Sequence, residues 1–141
     1  MYENAPDMGG WSLTRKRKEM TVPEGRFLVL SSPTGPSAFL FFQFLMEDSC
    51  EEEEVVPVLY VLELAVEKAC QGRGLGRRLM QYAETIALDR GMEKVVLTVF
   101  KENLAARKFY KALGYSPDEI SADEDDTEAS VLILSKNMRR L

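Results

Sequence analysis

The stretch ACQGRGLGRRLM, residues 69–80, places three glycines and three arginines between the apolar run VLYVLELAV and a helical pattern. A strand, a glycine-rich turn and a helix in this order gather free backbone N–H groups at the positive end of the helix dipole. Gly72, Gly74 and Gly76 permit positive φ angles and the close approach of an anion. The stretch therefore predicts a phosphate-binding turn, and a plain tight turn before a helix is the alternative.

Two well-known phosphate loops do not fit this spacing. A Walker loop requires GxxxxGK[ST], and neither Lys-Ser nor Lys-Thr follows the glycines here. A dinucleotide fingerprint requires GxGxxG, whereas this chain has G-x-G-x-G in the middle of its sequence. The phosphate therefore belongs to another kind of ligand.

The hydrophobic pattern on both sides of the turn predicts one mixed α/β domain over residues 1–141, built on one sheet. Strands are predicted at 26–30, 38–46, 58–66, 94–100 and 129–135. Apolar residues at helical spacing run from 75 to 90, and Gly91 is placed to end that helix. A second helix begins near Asn103, a suitable cap, and ends at Gly114. Residues 11–20 predict a short helix after an opening loop.

Composition excludes several kinds of site. The chain has no histidine, which excludes Ser-His-Asp and Cys-His nucleophilic sites and the usual zinc sites, so no metal is predicted. Its two cysteines, Cys50 and Cys70, give no disulfide framework, which favours reduced thiols and an intracellular location, cytoplasmic or nuclear. No apolar run approaches the roughly 20 residues of a membrane span, and no signal peptide opens the chain.

Charge is unevenly distributed along this chain, whose formal net charge is −5. Acidic clusters at 47–54 and 118–128 create local fields that attract a basic partner, and two solvated loops are the alternative interpretation. The basic run at 15–18 is interpreted as an exposed helix face rather than a nucleic-acid site, because the whole chain is acidic. We expect no direct nucleic acid, no membrane partner and a monomer.

A second motif, combined with the glycine turn, indicates a family. QGRGLG at 71–76 resembles the [QR]-x-x-G-x-[GA] loop of the GNAT superfamily of acetyl-coenzyme A-dependent acetyltransferases. NLAARKFYKALGY at 103–115 resembles that family's N-x-x-A-x-x-F-Y-x-x-x-G-[FY] helix at the expected distance downstream. The resemblance implies the GNAT fold, an α/β (α+β) fold with one mixed, mostly antiparallel, twisted sheet flanked by helices. The first strand and helix of that fold are expected to be missing, so the domain is expected to be shortened at its N terminus.

Further segments resemble the NatD type of N-terminal acetyltransferase, which modifies the α-amine of histones that begin Ser-Gly-Arg-Gly. They are MYE at 1–3, KRKEMT at 16–21, VLYVLEL at 58–64, KVVLTVFKEN at 94–103 and ILS at 133–135. This resemblance implies that the partner is a basic protein N terminus, in particular a histone tail. An acidic enzyme suits so basic a tail.

The resemblance also implies how acetyl-coenzyme A is bound. The glycine loop would hold the pyrophosphate, the end of the preceding strand would pair with the pantetheine amides, and two later polar residues would contact the acetyl end. The implied cofactor-binding residues are Leu64, Ala65, Val66, Gln71, Gly72, Arg73, Gly74, Leu75, Gly76, Thr98 and Asn103.

Two residues are implied in the chemistry. Glu63 is the candidate base, acting directly or through water, and burial in an apolar strand is expected to raise its pKa. Tyr110 would protonate the departing thiolate. The alternative for Glu63 is a solvent-facing strand residue, and the alternative for Tyr110 is a core residue. Tyr2 and Tyr60 match aromatic positions that line the peptide cleft.

Departures from the NatD pattern concern the acceptor rather than the cofactor. Leu62 and Val131 stand where that pattern has tyrosines, and an expected aspartate after the second strand has no clear counterpart, although Glu47 or Asp48 is placed to substitute. Three hypotheses follow: acetyl transfer to a protein N terminus, transfer to a lysine or small-molecule amine, and a non-catalytic module that binds acetyl-coenzyme A or a peptide.

Overall fold

The structure is a computed structural model that describes residues 25–48, 55–119, 121 and 128–138. Several predictions lie outside the described residues. They concern Tyr2, the expected absence of the first strand and helix, the helix at 11–20 with its basic run, Cys50, and the acidic residues at 51–54 and 123–126.

Three strands open the described part of the chain, and the helices follow them. In order they are β1 (Gly25–Ser32), β2 (Gly35–Asp48), β3 (Val55–Val66), a 3₁₀ helix (Lys68–Cys70), α1 (Leu75–Asp89), β4 (Lys94–Phe100), α2 (Leu104–Ala112), β5 (Ser116–Pro117) and β6 (Val131–Asn137). The sheet order is β1-β2-β3-β4-β6-β5. The β3–β4 pair is parallel, whereas β1–β2, β4–β6 and β5–β6 are antiparallel. This sheet confirms the predicted fold class.

One compact unit contains residues 25–43 and Leu62–Tyr82. Its hairpin turns at residues 33 and 34, whereas the predicted strands at 26–30 and 38–46 left a longer connection between them. The strands reach further because Ser32 pairs with Gly35 across the turn. Gly35 has a φ of 128°, a conformation open mainly to glycine, and this allows so tight a connection.

Aromatic packing forms the core of this unit. The Phe27 ring lies 5.8 Å from the Phe39 ring and 4.7 Å from the Phe41 ring, between centroids. Ala65 of β3 belongs to the same buried cluster. Aromatic pairs of this kind contribute about 0.5–1.5 kcal/mol each beyond the area they bury. The packing therefore fixes the end of β3 from which the glycine loop departs.

The second unit contains the described residues of Phe44–Val61 and Ala83–Leu141. Its β4 is hydrogen-bonded on both sides, and Val95, Val96 and Leu97 are buried. Ala83 and Ala87 of α1 are also fully buried, which confirms the predicted apolar stripe of that helix. A strand buried on both faces accounts for the nearly continuous apolar run KVVLTVF.

The last strand differs from its predicted position by two residues. Apolar composition placed it at 129–135, whereas the structure has Val131–Asn137. Its bounds are set by β4, because Phe100 pairs with Val131 and Lys94 pairs with Asn137. The two-residue strand β5, Ser116–Pro117, was not predicted, since Ser-Pro is typical of turns.

Candidate functional site

The glycine loop lies in the first unit, between β3 and α1. Gly72 and Gly74 have φ angles of 83° and 75°, so the prediction of left-handed backbone is confirmed at both. Gly76 differs, because it lies in the first turn of α1, is buried, and is not among the glycines with positive φ. Gly76 was predicted to permit a positive φ, and this position does not use that freedom.

Hydrogen bonds hold the loop to the end of β3. The Gln71 side chain donates from Nε2 to the Val66 carbonyl over 3.2 Å. The Glu67 N–H donates to the Ser37 carbonyl of β2 over 2.8 Å. A short 3₁₀ helix, Lys68–Cys70, connects Glu67 to Gln71, and the sequence did not predict it. The Gln71 side chain is thus an anchor of the loop.

The start of α1 is unusually positive for a helix N terminus. The Arg78 N–H donates to the Gly74 carbonyl over 3.1 Å, which makes Gly74 the residue that precedes the helix. Glycine has no side chain that can cap the helix, and no acidic residue lies in its first turn. Arg73 and Arg77 are exposed beside this end. Cations at the positive end of a helix dipole are unfavourable by about 0.3–1 kcal/mol each, so the arrangement favours a bound anion.

Strand β3 is paired with β4 over only part of its length. Residues 58–61 pair with 94–97, and the register ends there, although β3 continues to Val66. The side chains of Leu64 and Ala65 are buried, which fixes this end of the strand. One lone pair of the Val66 carbonyl is already used by Gln71.

Glu63 and Leu62 precede that edge on β3. Glu63 is half-buried, so the expectation of a partly desolvated carboxylate at this position is confirmed, and the solvent-facing interpretation is weakened. Leu62 is exposed to 42%. An exposed leucine beside a half-buried carboxylate is an apolar surface next to a candidate base.

In the second unit, two predicted residues meet. The Tyr60 hydroxyl and Thr98 Oγ1 are hydrogen-bonded over 2.5 Å. Tyr60 pairs in register with Val96, and Thr98 lies two residues further along β4, so both side chains stand on the same face of the sheet. Their distance of 38 positions in sequence hides this contact from any local pattern.

Helix α2 carries the other two predicted residues of this unit. Asn103 caps the helix, as predicted, because its Oδ1 accepts a hydrogen bond from the Ala106 N–H over 3.0 Å. Tyr110 is 8% exposed, and burial raises the pKa of its phenol to about 12. Its ring meets the rings of Phe109 and Tyr115 edge-on, with centroids 5.0 and 5.9 Å apart. The core interpretation and the catalytic one are compatible at this residue.

An ion pair that the sequence did not predict lies at the start of β4. Lys94 Nζ donates to Asp118 Oδ1 over 2.6 Å and lies 3.8 Å from Glu47 Oε1. Asp118 is buried, so this residue of the second acidic cluster does not belong to a solvated loop. Burial lowers the pKa of Lys94, but the hydrogen bond and charge of Asp118 and the charge of Glu47 outweigh burial and raise it.

At Glu47, burial has a larger effect on the pKa than the neighbouring charges do. Burial raises the pKa of its carboxyl, and the nearby Lys94 ammonium only partly offsets that effect. The other residue suggested as a substitute for the expected aspartate, Asp48, ends β2.

Three further observations on the described residues concern a cysteine, metal ligands and membrane-spanning helices. Cys70 is a half-buried free thiol. Within the described ranges, side chains of His, Cys, Asp and Glu form no group of three or more that would hold a metal ion. The two helices found there are too short or too polar to cross a membrane.

Comparison with known proteins places these elements in a family. The model of the family described as "Acetyltransferase (GNAT) family" matches residues 13–115. The chain is 38% identical over 78 residues to N-alpha-acetyltransferase 40 of Saccharomyces cerevisiae, a match that covers 50% of this chain and 27% of that protein. It is 30% identical over 119 residues to mycothiol acetyltransferase of Nocardia farcinica, which covers 82% of this chain and 38% of that protein.

The chain therefore spans about a quarter to two fifths of the length of these curated relatives. Among solved structures, the ribosomal-protein-S18-alanine N-acetyltransferase of Escherichia coli superimposes with a TM-score of 0.68 at 20% identity. That match covers 96% of this chain and 82% of the other. At this identity the likeness shows the fold alone.

Proposed function

Because the chain belongs to the acetyltransferase (GNAT) family, we propose that it transfers the acetyl group of acetyl-coenzyme A to a protein α-amine. The observation that carries the cofactor assignment is the glycine loop, with two left-handed glycines before an uncapped helix start. The similarity to N-alpha-acetyltransferase 40 supports a protein N terminus as acceptor. The acidic composition favours a basic terminus, such as that of a histone.

The pyrophosphate would lie against the loop at 71–76. Backbone N–H groups of the first turn of α1 point toward this end of the helix. A Cβ at Gly72 or Gly74 would meet no atom within 4 Å, so the space beside both glycines is open. Arg73, Arg77 and Arg78 would supply charge-assisted hydrogen bonds of about 1.5–3 kcal/mol each. The open space, the helix N terminus and the three arginines together suit a diphosphate.

The pantetheine arm would add to β3 like an extra strand. The edge beyond Val61 is not paired with β4, and its amides and carbonyls have the spacing that an extended amide chain needs. Leu64, Ala65 and Val66 would make these bonds, with the Val66 carbonyl shared with Gln71. Thr98 and Asn103 would contact the acetyl end of the same ligand.

The protein then has to provide a neutral amine. Bound acetyl-coenzyme A would supply an activated thioester carbonyl. An α-amine has a pKa of about 7.7–8.0, against about 10.4 for lysine, so it needs only modest help to lose its proton. Glu63, half-buried on β3, would accept that proton directly or through a water molecule. Backbone N–H groups near Leu64 would stabilise the developing oxyanion.

Tyr110 would act at the sulfur. With a pKa of about 12, its hydroxyl keeps its proton at pH 8–10, where an α-amine with a pKa of about 7.7–8.0 is largely neutral. Complete proton transfer to a thiolate is unfavourable, since an ordinary thiol has a pKa of about 8.5. Tyr110 would therefore donate a hydrogen bond to the departing thiolate and release its proton only as another proton arrives. This role is narrower than the general acid expected from the sequence.

A second candidate is acetyl transfer to a small-molecule amine or a lysine. The match to mycothiol acetyltransferase favours it, because that match covers 82% of this chain, against 50% for the N-terminal acetyltransferase. Leu62, exposed where the NatD pattern has a tyrosine, also allows a different acceptor. A non-catalytic module is the third candidate, and only turnover separates it from the other two.

The test is release of coenzyme A and acetylated product from a Ser-Gly-Arg-Gly peptide, measured together by mass spectrometry. Gly74→Trp is the matched variant, because its side chain would fill the space beside the loop. We expect product from the wild type and none from the variant. Product from a small amine but not from the peptide would favour the second candidate. Binding of acetyl-coenzyme A without any product would favour the third.

A further inference from the structure

A network of polar side chains in the second unit surrounds the end of α2. The Tyr115 hydroxyl donates to Glu84 Oε2 over 2.8 Å. Lys136 Nζ donates to Glu84 Oε1 over 3.0 Å and to the Leu113 carbonyl over 2.9 Å. One carboxylate of α1 therefore holds a tyrosine that follows α2 and a lysine of β6. That lysine in turn binds the carbonyl end of α2, where a cation is favourable.

The chain around this network leaves little freedom for the lysine. Gly114 has a φ of 99°, and a Cβ at that position would meet Lys136 Cε at 3.3 Å. The lysine stem thus lies against a backbone position that has no side chain. The Lys136 ammonium also stands 5.8 Å from the centre of the Tyr115 ring. Tyr115 is 3% exposed, so its ring is held on all sides.

Tyr110 is attached to this network by ring and backbone. Its ring meets the Tyr115 ring at an interplanar angle of 71°. The Tyr115 N–H donates to the Tyr110 carbonyl over 3.0 Å. Any rotation of Tyr115 therefore changes the wall against which the Tyr110 ring packs.

We propose that Glu84 is a positioning residue that sets the direction of the Tyr110 hydroxyl through Tyr115 and Lys136. Glu84 touches neither ligand in this account, and it acts by fixing two partners at once. Glu84 and Lys136 are 52 positions apart, and Glu84 and Tyr115 are 31 positions apart. No local motif contains all three. The proposal rests on the proposed function in that Tyr110 matters for catalysis only if the chain transfers an acetyl group.

The experiment uses two conservative variants and one control. Glu84→Gln keeps the shape of the side chain and removes the charge that holds Lys136. Tyr115→Phe keeps the ring and removes only the hydroxyl, so it serves if Glu84→Gln does not fold. Glu93→Gln is the control, because Glu93 is exposed and its side chain is outside the network. Circular dichroism confirms that each variant is folded.

Acetyl transfer is then measured in wild-type and Tyr110→Phe backgrounds. We expect Glu84→Gln and Tyr115→Phe to lower kcat about tenfold, as small misplacements at a reacting centre do, with KM for acetyl-coenzyme A unchanged. In the Tyr110→Phe background neither change should lower kcat further, because no hydroxyl is left to position. An equal loss of kcat in both backgrounds would overturn the proposal, since a merely structural role acts in both.

A second measurement, NMR of the tyrosine rings, does not require acetyl transfer. The chain has five tyrosines, and ¹³C-labelled tyrosine gives one set of ring resonances for each, of which Tyr110 is assigned by its loss in Tyr110→Phe. We expect Glu84→Gln to shift the Tyr110 ring resonances and Glu93→Gln to leave them unchanged. If the wild type transfers no acetyl group, the proposed function fails, and these shifts still decide the positioning role. Unchanged Tyr110 resonances in folded Glu84→Gln would overturn it.

Discussion

Lys94 and Asp118 form an ion pair 2.6 Å long whose side chains are only 12% and 2% exposed. The pair joins the start of β4 to the segment after β5, where the Asp118 N–H also donates to the Ile133 carbonyl of β6. Removing Asp118 leaves the largely buried Lys94 ammonium with the more distant Glu47 as a counter-charge. We predict that Asp118→Asn lowers the free energy of unfolding by about 3 kcal/mol, measured by urea denaturation at pH 7.5.

The control for this prediction is the double variant Lys94→Met with Asp118→Leu. Two apolar side chains of similar volume leave no charge buried. The double variant should therefore lose less stability than the sum of the losses in the single variants Lys94→Met and Asp118→Leu. Strict additivity of the two single losses would contradict the buried-pair interpretation.

Substitution of Glu47 should change the free energy of unfolding in the opposite direction to substitution of Asp118. Burial raises the pKa of its carboxyl above the ordinary 4.5, with Lys94 opposing. A raised pKa means that the stability contributed by the neutral form is fully present below 4.5 and is lost as pH rises through the folded-state pKa. Glu47→Gln should therefore stabilise the protein at pH 7.5 and have almost no effect at pH 4. Urea denaturation at both values tests this, and an equal effect at both would argue against it.

The glycine loop allows a comparison between two equivalent backbones. Gly74 and Gly91 both have a φ of 75°, and a Cβ at either would meet no atom within 4 Å. Changing either to alanine should cost about 1–2 kcal/mol of stability through left-handed strain. Calorimetry should show weaker binding of coenzyme A only for Gly74→Ala, because only Gly74 borders the anion site. Equal affinities for the two variants would remove the pyrophosphate from this loop.

The pH dependence of acetyl transfer separates the roles of amine and phenol. We predict that kcat/KM rises with pH through the α-amine pKa of about 7.7–8.0 and then stays level to pH 10. No fall is expected there, because Tyr110 has a pKa of about 12. Tyr110→Phe should lower kcat about 10²-fold and keep the rising limb. A falling limb below pH 10 that disappears in Tyr110→Phe would show that this phenol ionises earlier than the structure implies.

Local chemistry explains which features could be predicted from the sequence. Gly72, Gly74, Gly91 and the Asn103 cap were predictable because turn and cap geometry depends on a few adjacent residues. The bounds of β6 were not, since pairing with β4 rather than apolar composition sets them.

Long-range contacts account for the rest. Asp118 was counted with the second acidic cluster, and its partner Lys94 lies 24 positions away, so no spacing rule connects them. The Gln71 side chain was expected at the pyrophosphate, and its bond to the Val66 carbonyl shows that a residue of a binding motif can also anchor the loop. Gly76 occupied a turn motif in sequence but a helix in the structure, because α1 begins at Leu75.

A protein α-amine is the acceptor that we propose. Acetyl transfer to a Ser-Gly-Arg-Gly peptide should be compared with transfer to the same peptide blocked at its amino terminus. We predict product from the free peptide and none from the blocked one, with the added acetyl group located on the first residue by tandem mass spectrometry. Equal product from both peptides would place the acetyl group on a side chain and contradict the claim.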